Sequence, residues 1–372
     1  MDAPSTFEIF LSAAPGLEPV LLAEAQERGF GPASAVPGGV TFQGGWPEVW
    51  RANLELRGAT RVLARIGAFR ALHLAQLDKR ARRFPWATVL RPDVPVRVEV
   101  TARASRIYHA GAARERIERA IREELGAPLA DEARVVVKVR IEDDLCQLSL
   151  DTSGESLHRR GYKQAVAKAP MRETLAALFL RACGFDGTEP VLDPMCGSGT
   201  FVIEAAEIAA GLAPGRARSF AFEDLANFDP AAWEALRAAP RPAPGAGIAM
   251  LGSDRDQGAV RMSVANAARA GVAERTRFEC RPVADLERPA GPPGLVIVNP
   301  PYGARIGAPG PLRGLHASLG AALRERFGGW RVGLVTSDPG LARATGLPFA
   351  PPGPPVAHGG LKVRLFRTPP LG

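Results

Sequence analysis

Two short stretches carry residue types whose order suggests chemistry. The first is "PVLDPMCGSGTFVIEAA", in which an apolar run ends at Asp193 and is followed by Pro194, Met195, Cys196, Gly197, Gly199 and Thr200. An acid ending a buried strand, a Gly-x-Gly turn and a helix starting near Thr200 bring a carboxylate, backbone N–H groups and a helix N-terminus together. The glycines admit backbone conformations that a β-carbon would block. The carboxylate would repel a pyrophosphate, whereas an aliphatic ammonium such as the methionine end of S-adenosylmethionine suits it. The second stretch is "VIVNPPYG", with Asn299, Pro300, Pro301 and Tyr302 after an apolar run. A base amine is a poor nucleophile because its lone pair is delocalised into the ring. The Asn299 side-chain oxygen and the Pro300 carbonyl can each accept one N–H, which favours a pyramidal nitrogen with its lone pair free. Pro301 fixes its own φ and holds Pro300 extended, and Tyr302 offers an aromatic face for a base. A plain tight turn is the alternative reading.

Further acids fall where these elements would need them. "GSDRD" ends a strand at Asp254, an acid able to accept both hydroxyls of an adenosine ribose. It lies 61 residues after Asp193, beyond the usual spacing of about 20, and an insertion over 213–246, with one short helix of its own, accounts for the excess. Asp256 is the expected helix cap beside it. Asp285 in "RPVADL" can accept from an adenine amino group, or can be an ordinary loop acid. Cys196, inside the glycine loop, reads as packing. The four cysteines and five histidines show no metal-ligand spacing, so no metal is expected, and the widely separated cysteines read as buried thiols of a reducing compartment.

The elements that must position these groups alternate from about 165 onward. Strands are expected at 190–193, 248–254, 276–283, 295–299 and 330–337, with a last one at "LKVRLFR" after a surface loop "PPGPPVAHGG". That rhythm argues for a parallel, doubly wound sheet with ligands at the carboxyl ends of its strands. Earlier segments read as small α/β units. "TFEIFLSAA" and "GGVTFQG" are strand-like, "WPEVWRANLELRGATRVLARIG" reads as helical, and "RIYHAGAARERIERAIREELGA" is a helix stopped by Gly126. "RVVVKVRIEDDLCQLSLDTSG" gives two strands around the acidic turn Glu142–Asp144.

With 372 residues the chain is long enough for two or three domains. At 46% hydrophobic and 23% charged it is neither disordered nor fibrous in composition. Net charge is +8, but residues 1–50 hold one Arg against six acids, whereas 51–168 hold 24 Lys and Arg against 15 acids. The positive charge is therefore concentrated in one segment, as a polyanion-binding face or a merely solvated one. No basic N-terminal region precedes an apolar run and no run of about 18 apolar residues occurs, which leads us to expect a cytoplasmic protein.

"DPMCGSGT" together with "NPPYG" resembles the class I S-adenosylmethionine-dependent methyltransferases that act on exocyclic amines. The chain is similar, more narrowly, to the bacterial THUMP-domain RNA methylases of the 23S rRNA guanine-N2 methyltransferase type. "LSLDTSGESLHRRGYKQAVAKAPMRETLAALFLRACGF" and "RSFAFEDLANFDPAAW" are like that family's linker and insertion. The resemblance implies an α/β fold with a ferredoxin-like segment over 1–60, a THUMP RNA-binding domain over 61–155, a linker and first helix over 156–188, and a Rossmann-like catalytic domain over 189–372. It implies S-adenosylmethionine as cofactor, with Pro170 to Glu173, Arg172 above all, near its methionine carboxylate. It implies RNA as partner, with phosphates or bases met by Arg103, Arg106, Tyr108, His109, Arg114 and Arg116, the charge continuing through Arg159, Arg160 and Lys163. The enterobacterial relative continues into a second methyltransferase. This sequence stops after "LKVRLFRTPPLG", so a single modification activity is expected, on 23S rRNA or, as in similar single-unit relatives, on tRNA. Adenine N6, DNA or protein-glutamine amines, and a non-catalytic RNA-binding assembly role stay open.

Overall fold

Apolar residues at alternate positions draw seven strands within the first 151 residues into one sheet. The computed structural model describes residues 6–164, 171–245, 247–302 and 309–372. In chain order come β1 (Phe7–Ser12), α1 (Glu18–Glu27), β2 (Ala33–Val36), β3 (Gly39–Gly44), α2 (Trp46–Glu55), β4 (Arg61–Arg70), α3 (Leu74–Arg82), β5 (Val96–Arg103), α4 (Ala110–Leu125), β6 (Val135–Glu142) and β7 (Leu145–Asp151). The strands form a seven-stranded sheet in the order β2-β3-β1-β4-β7-β6-β5. β4 pairs antiparallel with both β1 and β7, so the two small α/β segments read from the sequence share one sheet. The turn between β6 and β7 holds Asp143 and Asp144 at φ 49 and 62. Short acidic residues tolerate this left-handed pair, which matches the twist of a two-residue hairpin.

The helical reading of "RGATRVLARIG" is corrected. α2 stops at Glu55 and β4 begins at Arg61, with half-buried and buried residues alternating from Arg61 to Ala64 at the period of a strand. Val62 and Ala64 are fully buried there, and pairing on both sides outweighs any local helical preference.

Residues Arg218–Ala239 belong to this first compact unit, with 6–13 and Leu22–Leu157. They contain α7 (Pro230–Ala238), and Phe222 packs its ring 6.1 Å from Trp50 and edge-on to Trp233 at 5.0 Å. They lie within 213–246, the stretch read as an insertion.

The second unit comprises Ala14–Leu21, His158–Ala217 and Pro240–Gly372. Its elements are α5 (Glu173–Ala182), β8 (Val191–Asp193), α6 (Thr200–Ala209), β9 (Met250–Asp254), α8 (Gln257–Arg269), β10 (Thr276–Cys280), β11 (Leu295–Val298), α9 (Pro309–Arg326), β12 (Arg331–Thr336), α10 (Pro339–Ala344), β13 (Val356–His358) and β14 (Leu361–Arg367). The sheet order is β10-β9-β8-β11-β12-β14-β13. The first five strands run parallel and β14 returns antiparallel to β12. The expected doubly wound sheet is thus observed. β13 corrects the loop reading of "PPGPPVAHGG". Val356 to His358 pairs with β14 across a turn in which Gly359 and Gly360 have φ 55 and 82, and a glycine pair between two apolar runs is a hairpin signal.

Val296, Val298, Leu319, Leu323, Phe327, Trp330, Val332 and Leu334 form the core on one face of this sheet, all essentially inaccessible. Each such side chain contributes about 1.5–3 kcal/mol on burial, which fixes the strand ends that carry the polar residues described next. Among the described residues, no helix is long and apolar enough to cross a membrane.

Candidate active site

β8 and β11 are neighbours, yet the chain leaves β8 toward β9 on one side and reaches β11 on the other. The order therefore reverses between them, where open α/β sheets leave a crevice outside the carboxyl ends of the strands. Asp193 ends β8 and Asn299 follows β11 directly, so the two sequence-predicted stretches meet at this switch point.

The Asp193 carboxylate is 3% exposed and accepts one backbone hydrogen bond, from Met195 N at 3.1 Å. Burial pushes its carboxyl up to about 8; the Met195 N–H opposes the shift and the charge of Asp254 adds to it. A carboxylate this short of donors is stabilised by any cation that arrives. The loop behind it is rigid. Gly197 and Gly199 take φ of 56 and 82, and a β-carbon on Gly199 would lie 3.1 Å from Ser263. Ser263 Oγ donates to Gly197 O at 3.0 Å, and Asn266 Nδ2 donates to Ser198 O at 3.0 Å. Ser263 and Asn266 are completely buried. Their spacing of three residues puts both on one face of α8, a signal present in the sequence but not used. Cys196 is 6% exposed, with its thiol raised by desolvation above the ordinary range, which suits packing and not nucleophilic chemistry.

Asp254 ends β9. Its Oδ2 accepts from Gly197 N at 3.0 Å and its Oδ1 from Asp256 N at 3.0 Å. Both bonds lie to backbone and orient the carboxylate, while Asp256 caps α8 through Gly258 N at 2.7 Å. Asp285 is exposed in a short 3₁₀ turn after β10. The buried Ser253 Oγ, beside Asp254, has no hydrogen-bond partner among the described residues.

Asn299 Oδ1 is buried and likewise has no partner among the described residues. Pro300 is buried, Pro301 is half-buried and Tyr302 is 8% exposed. Burial pushes the Tyr302 phenol up to about 12. Its ring is packed and not displayed to solvent. Gly303 of the "NPPYG" stretch lies outside the described residues, as does Pro170.

Arg172 is exposed at the N-cap of α5, its carbonyl accepting from Ala176 N at 2.9 Å. Glu173 follows it and is buried. Lys163 Nζ lies 3.4 Å from Glu173 Oε1 and donates to Met171 O at 2.7 Å and to Thr200 Oγ1 at 2.9 Å. Desolvation lowers the Lys163 ammonium and raises the Glu173 carboxyl, each partly offset by the other's charge. Reading Lys163 as part of an RNA-facing charge is thus corrected: its ammonium ties the start of α5 to the start of α6. Arg160 is corrected for the same reason. It is 3% exposed with Nε 3.2 Å from the fully buried Glu204, so its guanidinium has no path to a phosphate.

The other residues expected to meet RNA sit on the surface. Arg103, Arg106, Tyr108, His109 and Arg114 are exposed, Tyr108 at 83%, and Arg116 is half-buried. His109 Nδ1 accepts from Ala112 N at 3.1 Å and so caps α4, and Arg114 pairs with Glu118 at 3.3 Å. Arg159 is exposed in the second unit.

Comparison with known proteins agrees with this geometry. The family described as RMKL-like, methyltransferase domain matches residues 160–347, and the RlmL ferredoxin-like domain matches residues 8–63. The chain is 37% identical over 366 residues to the Ribosomal RNA large subunit methyltransferase K/L of Syntrophotalea carbinolica, covering 93% of this chain and 51% of that protein. It spans about half the length of the curated relatives it matches. Among solved structures, SMU.472, described as a methyltransferase and complexed with SAH, superposes with a TM-score of 0.87 at 26% identity over 99% of both chains. A Listeria monocytogenes protein described as a predicted N6-adenine-specific DNA methylase gives 0.84 at 28%, over 97% of this chain and 96% of that one. With the matched domain spanning half of its residues, the chain belongs to the RMKL-like methyltransferase domain family.

Proposed function

We propose that the protein transfers a methyl group from S-adenosylmethionine to an exocyclic base amine, guanine N2, in a structured RNA, 23S rRNA in particular. The observation that carries this reading is the buried Asn299 Oδ1, without a partner among the described residues, next to Pro300 at the switch point. An acceptor kept out of water without a donor costs stability unless a ligand supplies the N–H. An amine held by this oxygen and the Pro300 carbonyl keeps its lone pair off the ring and aimed away from them, and the pair is positioned before the substrate arrives. When bound, S-adenosylmethionine would supply an electrophilic methyl group. Asp193 and the Gly197–Gly199 loop suit its ammonium end, Asp254 its ribose hydroxyls, Asp285 its adenine amine and Arg172 its carboxylate. The SAH bound to SMU.472 supports this choice, and the K/L names of the curated relatives support rRNA. We further propose the division into a ferredoxin-like segment (1–60), a THUMP-like RNA-binding domain (61–155), a linker (156–188) and a catalytic domain (189–372), acting in the cytoplasm.

Adenine N6 is the second reading, because it presents the same two N–H groups and the Listeria neighbour carries that description. Incubation with labelled S-adenosylmethionine and undermethylated rRNA or tRNA, followed by mass spectrometry of nucleosides, separates the two. N2-methylguanosine in rRNA is the expected product. Failure to label any RNA while SAH still binds would sink the proposal.

A further inference from the structure

The sequence "KRARRFPW" (79–86) holds four cations in five residues, and the structure sorts them into two sets. Arg82 pairs with Asp78, Glu123 and Glu124. Lys79, Arg80 and Arg83 are exposed and form no ion pair among the described residues. These three line a groove of about 780 Å³ in the first unit, together with His73, Phe69 and Phe84. No carboxylate is among its described lining residues.

The aromatic floor has a backbone cause. The register of β4 against β7 shifts between Arg65 and Gly67, and a β-carbon on Gly67 would come within 2.7 Å of Phe84. The bare backbone there lets the Phe84 ring lie against the strand, steadied from behind by Trp86 at 4.5 Å between ring centroids. Trp86 itself is anchored by Nε1 donating to Ala81 O at 2.8 Å. Phe69 and Phe84 stay half-buried, and both line the groove together with the cations.

We propose that this groove is a nucleotide-binding site for a single-stranded segment of RNA, with bases stacking on Phe69 and Phe84 and phosphates met by Lys79, Arg80 and Arg83. The proposal rests on the RNA reading above and adds residues that the basic-segment expectation did not single out. Charge complementarity selects the occupant: three unpaired cations around two aromatic faces fit a backbone that alternates phosphate with base, whereas an acidic peptide would leave the ring faces unused.

The test is fluorescence anisotropy of the full chain with a labelled single-stranded RNA of about a dozen nucleotides, across a salt series. Counterion release from three contacts, about 0.7 each in the log–log salt slope, predicts that Lys79→Gln/Arg80→Gln/Arg83→Gln loses about 2 from the slope and roughly 50-fold in affinity near 0.15 M salt. Phe69→Leu keeps an apolar side chain but removes the ring, and should weaken binding about fivefold or more with the slope unchanged. The triple variant should unfold at the wild-type temperature, since its changed groups are at the surface, and Phe69→Leu, at a half-buried ring, should lower Tm by only a few degrees. Unchanged affinity in the triple variant overturns the proposal, as does unchanged affinity in Phe69→Leu. Equal binding of a polyglutamate peptide, lost in parallel in both variants, overturns it in favour of an acidic protein surface. Normal methylation with unaltered RNA affinity in these variants defeats the groove alone. RNA binding through the groove with no methyl transfer defeats the proposed reaction alone.

Discussion

Replacing Asn299 by Ala should separate stability from catalysis in opposite directions. In the free protein Asn299 Oδ1 is buried without a donor among the described residues, and an unmet buried acceptor costs about 1–3 kcal/mol. Removing it forfeits the packing of a half-buried amide, about 1 kcal/mol by area. The net effect is between zero and about 2 kcal/mol of stabilisation, or a rise in Tm of up to roughly 6 °C for a unit of this size. Transfer should fall by about 10²–10³, the usual loss when one preorganised hydrogen-bonding group is taken from a reacting centre. Asn299→Asp keeps an acceptor and should retain more transfer than Asn299→Ala, at the expense of stability from an added buried charge. Calorimetry, SAH titration and single-turnover methylation of undermethylated rRNA read the three quantities. A Tm drop beyond about 5 °C with loss of SAH binding would make Asn299 a structural residue, and transfer within tenfold of wild type would refute the amine clamp.

Other expectations follow from the same site. Asp193, with its carboxyl raised to about 8, holds its proton in the folded state over a range where the unfolded chain has lost it. Its contribution to stability is therefore full below about pH 4, declines as pH rises to about 8, and is flat above. Urea midpoints measured from pH 5 to 8 should fall more steeply in wild type than in Asp193→Asn. Because an ammonium ligand prefers the ionised carboxylate, SAH affinity measured calorimetrically should rise over the same range, and that slope should vanish in Asp193→Asn. Glu204→Gln removes a counter-charge from the buried Arg160 guanidinium and should cost up to about 3–5 kcal/mol, seen as a Tm loss on the order of 10 °C. Gly199→Ala forces a β-carbon into a φ of 82 and against Ser263 at 3.1 Å. It should cost about 1–2 kcal/mol from the backbone alone and weaken SAH binding with it, whereas equal affinity in that variant would show that the loop geometry does not matter to the ligand.

What the sequence makes legible here is set by range. Asp193, Asp254 and Asn299 are readable because each ends an apolar strand, and a strand end in a parallel sheet is a local pattern with a global position. The turn at Asp143 and Asp144 and the stop at Gly126, with φ 80, are readable for the same reason. The fate of Arg160 and Lys163 is not. Both stand in a basic run that reads as solvated, yet they meet Glu204, 44 residues away, and Thr200, 37 residues away, contacts that no local pattern announces. β4 was likewise hidden, because "RVLARIG" has apolar residues at spacings compatible with a helix, and only its two antiparallel neighbours decide the matter. Ser263 and Asn266 gave a signal at helical spacing, but without the loop they hold it has no meaning.

Unpartnered buried groups give a criterion for the site that does not depend on resemblance. Several are scattered through the protein, including His316 Nε2 and Trp330 Nε1, and any one alone would be unremarkable. Asn299 Oδ1 and Ser253 Oγ differ because they stand at the carboxyl ends of β11 and β9. β8 lies between those strands and ends in Asp193, a carboxylate with a single backbone donor. Neighbouring strands run about 4.8 Å apart, and the register of Val296 against Leu192 gives Asp193 and Asn299 the same side-chain parity, so these two under-satisfied acceptors fall within reach of one ligand. Folding alone would select against that concentration, since each group costs free energy that a nonpolar replacement would avoid. A ligand that brings an ammonium to Asp193 and an amine to Asn299 offsets the cost, and the two acceptors sit on opposite sides of the β8–β11 switch point. Restoring stability by filling them with apolar residues should therefore remove the activity, and the size of that exchange is what the Asn299→Ala measurement reads.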